Sequence, residues 1–391
     1  MNIPLNAPYI GRTEFKYVEE CLSSTYVSSA GPFVGRFESA FAKSVGSSFA
    51  VACSSGTAAL HVALRLAGAQ PGATIAVSDF TFIASANAAA YTGADLLLVD
   101  SEPQTWNMNT QLLLEEVHRR ARLGKKIPQI VEIVHVLGHP ADMAPLLELR
   151  EKYGVRIVED AAEALGSRWI SGPLAGRQVG TVGDFGCYSF NGNKVITSGG
   201  GGMIVTGDEG LADHARHLTT QAKIDQREYL HDEIGYNYRL TNLAAALGLA
   251  QLERLPVMLE EKRRIAASYS ELLRGLDISL APDVAWAQSS YWLYSVLLSA
   301  GAASPASVVA DLAAAGIEAR RVWPPLHQQR PYASTERVGA DVADRLYGLG
   351  LSLPSSVGRA TSEQRHVAHA LSMILQNPDK IAMETARSIR S

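Results

Sequence analysis

Between about Ser48 and Gly207 the chain alternates short β-rich runs with helical stretches, and this alternation limits its fold more than any other feature. Phe49–Cys53, Thr74–Ser78, Asp95–Val99, Ile130–Val134 and 155–158 have the composition of strands. Several are apolar throughout, as expected of strands covered on both faces. Residues 57–66, 109–122 and 142–153 carry apolar side chains at helical spacing. The β-α alternation predicts an α/β fold with a largely parallel sheet between helices. Segment 183–206 departs from it, with strand-like runs at 186–190 and 203–206, glycines between them and few helix signals. After Asn242 the pattern predicts a helix over 243–252, a charged helix over 259–274 with Pro256 marking a break, a strand over 290–299 and a helix over 304–315. A chain of 391 residues exceeds one ordinary core. We therefore expect a large domain over 1–250 and a smaller C-terminal α/β domain over 251–391, with a polar, frayed end over 376–391.

Composition excludes several classes. Hydrophobic residues make up 47% and charged residues 19%, as in a globular protein rather than a disordered one. The net charge of −4, without a basic block, argues against nucleic-acid binding. The N-terminal residues lack the basic and apolar regions of a signal peptide, and no apolar run is long enough to span a bilayer. We expect a cytoplasmic protein with no membrane partner. Cys21, Cys53 and Cys187 have no metal-like spacing, so reduced thiols and no metal site are expected. Cys187 lies near the lysine discussed next and reads as a small apolar core residue.

Three constellations carry chemistry. Lys194 sits in Tyr188-Ser-Phe-Asn-Gly-Asn-Lys194, followed by the glycine run Gly199–Gly202. The run precedes a strand rather than a helix, so it reads as a link between strands, not a dinucleotide fingerprint. Upstream, Ile157-Val-Glu-Asp160-Ala-Ala-Glu163 is an apolar strand ending in carboxylates, where open α/β sheets face their ligand crevice. Ser54-Ser-Gly-Thr57 follows a strand and opens a helix, which makes a phosphate cradle from small residues and free N–H groups. Each has an ordinary alternative: a capped helix start for the cradle, a helix N-cap for Asp160 and an exposed first-turn residue for Glu163. Their order favours one shared ligand. A lysine that can form an imine and a carboxylate that can hold a pyridinium nitrogen are the minimum equipment of pyridoxal 5'-phosphate (PLP) chemistry.

With these residues in view, the chain resembles the sugar-nucleotide aminotransferases of the DegT/DnrJ/StrS family over about residues 3–375. The resemblance rests on Ser54-Ser-Gly-Thr-Ala-Ala-Leu60, Phe80-Thr-Phe82-Ile-Ala-Ser-Ala-Asn87, Val134-His-Val-Leu-Gly-His-Pro140, Glu159-Asp-Ala-Ala-Glu-Ala164, Ser189-Phe-Asn-Gly-Asn-Lys194 and Gly235-Tyr-Asn237-Tyr-Arg239-Leu-Thr-Asn242. It implies the fold-type-I PLP architecture, with a mostly parallel, seven-stranded-type sheet in the large domain. Within the family the chain is most similar to enzymes that aminate C4 of a UDP-linked 4-keto-6-deoxy-N-acetylhexosamine, on the way to bacillosamine and legionaminic acid. GDP-perosamine synthases share Asp100-Ser-Glu-Pro-Gln-Thr-Trp106-Asn-Met108 but usually carry a glutamate in the glycine run, where this chain has Gly200.

The resemblance implies a role for each matching residue. Lys194 is the cofactor lysine and proton carrier, and Asp160 the partner of the pyridinium nitrogen. Phe82 stacks on the ring, Glu163 lies beside it, and Gly56, Thr57 and Ser189 hold the phosphate. Asn237 reaches the phosphate of the neighbouring subunit, which implies a homodimer with shared sites. Arg320 and His327 match a segment lining the sugar-nucleotide site, though relatives have Arg-Pro where this chain has Arg320-Arg321. Lys223 and Arg239 are candidates for anion contacts. A loop histidine and a structural ion pair remain open for His327 and Arg239. The expected substrates are a nucleotide sugar and L-glutamate. The competing functions are a GDP-sugar 4-aminotransferase, a PLP-dependent sugar dehydratase, which Lys194 argues against because those relatives place histidine there, and a non-catalytic family member.

Overall fold

In the computed structural model, which describes residues 2–225, 227–301 and 303–376, an eight-stranded sheet forms the centre of the molecule. Its strands run in the order Phe49–Cys53, Gly202–Thr206, Phe185–Ser189, Arg156–Asp160, Ile130–Val134, Thr74–Ser78, Asp95–Val99 and Glu336–Val338. The pairs from Phe185–Ser189 through Glu336–Val338 are parallel, whereas Gly202–Thr206 is antiparallel to both its neighbours. Seven of these strands lie within 49–206, as the α/β reading requires. The eighth, Glu336–Val338, returns from far along the chain to pair with Asp95–Val99. The glycine run Gly199–Gly202 ends the excursion between two antiparallel strands, with Ser189 opposite Gly202.

The sheet is covered on both faces, which explains why its strands do not alternate. One face carries helices Pro32–Val45, Thr110–Arg122, Ala144–Tyr153 and Asn242–Glu253 over a core that includes Phe37, Phe41, Ile133 and Leu146. The other carries Gly56–Leu66, Ala84–Tyr91 and Glu209–Thr219 over Val62, Ile75, Val158 and Phe185. Local chemistry sets the helix ends. The Ser55, Asn109 and Thr241 side chains each accept a first-turn N–H. Such a cap contributes about 1 kcal/mol. The break expected at Pro256 falls at Arg254, and the next helix, Leu255–Leu272, takes Pro256 into its first turn, where a missing N–H costs nothing.

A second, four-stranded antiparallel sheet has the order Ile278–Ser279, Tyr294–Leu298, Gly350–Leu353, Arg320–Arg321. Helices Pro305–Ala314 and Thr361–Gln376 join Tyr269, Val296 and Leu351 in its core. The N-terminal segment packs here too, since the Ile3 N–H donates to Gly316 O at 2.9 Å and Ser355 N–H to Leu5 O at 2.6 Å. The polar tail expected to fray lies, beyond Gln376, outside the described residues.

Candidate active site

A cleft of about 290 Å³ opens at the carboxyl ends of the parallel strands, between the two sheets. Its lining includes Gly56, Thr57, Phe82, Asp160, Glu163, Ser189, Lys194 and Arg320, so most of the sequence candidates converge there.

Asp160 ends its strand and is 5% exposed. Its carboxylate accepts hydrogen bonds from Ser85 Oγ at 2.8 Å and from the Ala162 N–H at 3.0 Å. Burial raises its pKa against the opposing pull of these donors and of the Lys194 charge. A cation placed in the cleft would restore the charged form. Glu132, two residues back on the adjacent strand and on the same face, is fully buried, and neither of its side-chain oxygens has a hydrogen-bond partner. Burial pushes its pKa well above the ordinary carboxylate value, and the neighbouring Asp160 adds to the rise.

Lys194 Nζ lies 3.5 Å from Glu163 Oε1 and 3.9 Å above the Trp292 ring. Glu163 is turned toward it by the Leu137 N–H, which donates to Oε2 at 2.8 Å. Burial raises the Glu163 pKa to about 7, against the pull of Lys194. A carboxyl poised near neutrality beside a lysine amine can exchange a proton with it.

Opposite them, helix Gly56–Leu66 points its N-terminus into the cleft. Ser55 Oγ takes the Ala58 N–H at 3.0 Å, while the N–H groups of Gly56 and Thr57 have no partner within the helix. The approach is too tight for larger residues. A Cβ on Gly56 would fall 2.8 Å from Ser189 Cβ, and one on Gly202 would fall 2.3 Å from Ser55 O. A backbone anion cradle, a buried carboxylate at the strand end and a lysine amine across from both form the donor set that PLP requires. Phe82 is 52% exposed and stands over the cleft beside Trp323.

Four candidates do not line the cleft. Arg239 pairs with Glu38, and that carboxylate also accepts the Ala52 N–H at 2.7 Å, so Arg239 is tied to the sheet edge. His327 lies between Asp79 (Nδ1–Oδ2 2.6 Å) and Asp344 (Nε2–Oδ1 3.1 Å). Lys223 lies over the Tyr229 ring, and the exposed Asn237 accepts from Gln221 Nε2 at 2.9 Å. Arg320 reaches the cleft rim but is engaged by Glu318 at 2.8 Å. Sequence reasoning passed over Ser85, Trp292, Arg321 and Trp323, all of which line the cleft. Ser85 stood in a quoted motif and could have been found there; the two tryptophans, stacked 6.2 Å apart, give no local signal.

Comparison with known proteins places this geometry among relatives. A family model described as the DegT/DnrJ/EryC1/StrS aminotransferase family matches residues 8–372. EpsN of Bacillus subtilis is 40% identical over 94% of this chain and 95% of its own. A GDP-perosamine synthase of Caulobacter vibrioides is 38% identical over 95% of this chain and 98% of its own. The UDP-N-acetyl-3-dehydro-alpha-D-glucosamine 3-aminotransferase of Acidithiobacillus ferrooxidans is 35% identical over 78% of each. Among solved structures, a DegT DnrJ EryC1 StrS aminotransferase from Brucella abortus superposes with a TM-score of 0.85 at 28% identity, covering 93% of this chain and 95% of its own.

Proposed function

The chain belongs to the DegT/DnrJ/EryC1/StrS aminotransferase family and is a PLP-dependent sugar-nucleotide aminotransferase, and on that premise we propose that it transfers an amino group from L-glutamate to C4 of a UDP-linked 2-acetamido-4-keto-2,6-dideoxyhexose. The observation that carries the choice of substrate is Gly200. It lines the cleft, and a Cβ there would meet nothing within 4 Å. The glutamate usual in GDP-perosamine synthases would add a charge at this position, which this chain lacks. The second reading, a GDP-4-keto-6-deoxymannose 4-aminotransferase, is favoured by the 38% identity to a GDP-perosamine synthase over nearly the whole chain.

Bound PLP supplies an electron sink and carries the amino group between glutamate and the sugar. The protein's residues do the rest. Gly56, Thr57 and Ser189 would hold the phosphate, and Phe82 would cover the ring. The buried Asp160 carboxylate, fixed by Ser85 and Ala162, would pair with the pyridinium nitrogen and favour its protonated form. The Lys194 amine would hold the cofactor and would move protons at the sugar C4. Glu163 accepts the proton that the Lys194 ammonium must lose, and the Trp292 face holds that ammonium in place meanwhile.

We also assign a homodimer with shared sites. Beside the exposed Asn237, the segment 224–234 presents Ile224, Tyr229, Leu230 and Ile234 at 53–84% exposure, an apolar surface suited to a second copy. Among the described residues no helix is long and apolar enough to cross a membrane. The division at about residue 250 is supported by the second sheet, whose strands all lie beyond it.

The decisive experiment offers the PLP-loaded enzyme and L-glutamate a panel of UDP-, GDP- and dTDP-linked 4-keto-6-deoxy sugars and identifies the aminated product by mass and NMR. Preferential amination of the UDP-N-acetyl sugar at C4 is expected. Preference for the GDP sugar would select the second reading.

A further inference from the structure

Lys262 lies on helix Leu255–Leu272, is 2% exposed and has no part in the chemistry above. Its ammonium donates three hydrogen bonds, to Asn6 Oδ1 at 2.8 Å, to the Trp292 carbonyl at 2.8 Å and to the Ser355 carbonyl at 2.6 Å. All three acceptors are neutral. They match the three N–H groups of a protonated lysine, one more than a neutral amine offers. Burial lowers the Lys262 pKa to about 7, so the chain retains a costly group at a place where methionine would pack.

Two of its acceptors meet again at one atom. Asn6 Nδ2 and Trp292 Nε1 each donate to the Asn193 carbonyl at 2.5 Å. Asn193 directly precedes Lys194, and the Trp292 ring lies 3.9 Å from Lys194 Nζ. Both lysines, with Asn6 and Thr197 among others, line one small cavity. Lys262 therefore holds the Asn6 side chain and the Trp292 backbone, the two residues whose side chains bond the peptide entering Lys194.

We propose that Lys262 is a positioning residue for Lys194, acting through Asn6 and Trp292 on the Asn193 carbonyl. The inference rests on Lys194 being the cofactor lysine. It assigns a catalytic consequence to the N-terminal segment, which is remote in sequence from the rest of the site.

The test compares wild type, Lys262→Met, Asn6→Ala and the double variant. Three quantities are read: the rate of PLP loading onto apoenzyme, the visible circular dichroism of the bound cofactor, and kcat against KM for the nucleotide sugar. We expect each single variant to slow loading about tenfold, to reduce the cofactor dichroism and to lower kcat with KM changed less than twofold. The double variant should be no worse than Lys262→Met, as two links of one chain require. Folded variants with normal loading and dichroism, or additive losses in the double variant, would overturn the proposal. If Lys262→Met does not fold, Asn6→Ala decides by the same readouts. Borohydride trapping with peptide mapping separates the two layers. Label on residue 194 with unchanged dichroism rejects positioning by Lys262, whereas label elsewhere rejects the cofactor-lysine reading and this inference with it.

Discussion

Asp160 and Asn237 are both site residues by sequence, yet they occupy opposite surroundings. Asp160 closes a central strand, is buried, and is oriented by a serine and a backbone N–H. Asn237 stands on an exposed segment and is held by one glutamine amide. The same contrast separates Lys194, Thr57 and Ser189, gathered in the cleft, from Lys223, which lies outside it. Residues placed by strand ends and helix starts are complete within one chain because the sheet fixes them. On the shared-site proposal, residues on the segment that follows Thr219 would enter a site only where a second copy meets them.

The sharpest test of the sheet-fixed half is Lys194→Ala. It should lower turnover by at least about 10⁴-fold, the scale on which a covalent step is lost, while circular dichroism reports an intact fold. Near-normal transamination would remove the centre of the assignment. Next, Asp160→Ala should slow single turnovers by about 10²–10³-fold, and Glu163→Ala by only about tenfold, because one sustains the electron sink and the other shuttles a proton. Equal small losses would move the pyridinium partner elsewhere.

The exposed half is tested by co-expressing Lys194→Ala and Asn237→Ala chains, each inactive alone. Random pairing should restore roughly a quarter of wild-type activity, since half the dimers are mixed and each has one intact site. No recovery, with subunit exchange demonstrated, would return Asn237 to its own chain. The last test concerns pH. Glu163 binds its proton up to about pH 7 in the fold, against 4.5 for the ordinary carboxyl. The stability this confers is fully present below pH 4.5 and is lost as pH rises to 7. In cofactor-free protein, Glu163→Gln should therefore gain on wild type across that window, by at most about 3 kcal/mol. Urea unfolding at pH 5 and 7.5 measures it; equal differences at both would refute the raised pKa.

How much was legible follows the same line. The strands Phe49–Cys53, Thr74–Ser78, Asp95–Val99 and Ile130–Val134 form as read, because burial on both faces writes itself as an apolar run. The helix Pro32–Val45 was not read, although Pro32 starts it and Gly46, at φ 74°, ends it. Glu336–Val338 could not be read from three residues, since its pairing with Asp95–Val99 is made across most of the chain. In the site, Lys194 and Asp160 were visible through their neighbours in sequence. Trp292 and Lys262 were not, because Trp292 meets the lysine turn, and Lys262 meets Trp292, only in the folded molecule.

The strand Glu336–Val338 has a consequence for synthesis. Until it is made, Asp95–Val99 is the bare edge of the sheet, with Leu96, Leu97, Leu98 and Val99 in a row. An apolar unpaired edge is a template for other chains. Its partner residues, Glu336 opposite Leu97, are 239 positions later (336 − 97 = 239). At roughly 5–20 residues per second the edge stays open for about ten to fifty seconds on the ribosome. Nascent chains are therefore most prone to aggregate after the seven-stranded part is made and before residue 338 emerges. Truncations in that interval should be insoluble even though they contain every residue from Gly56 to Lys194.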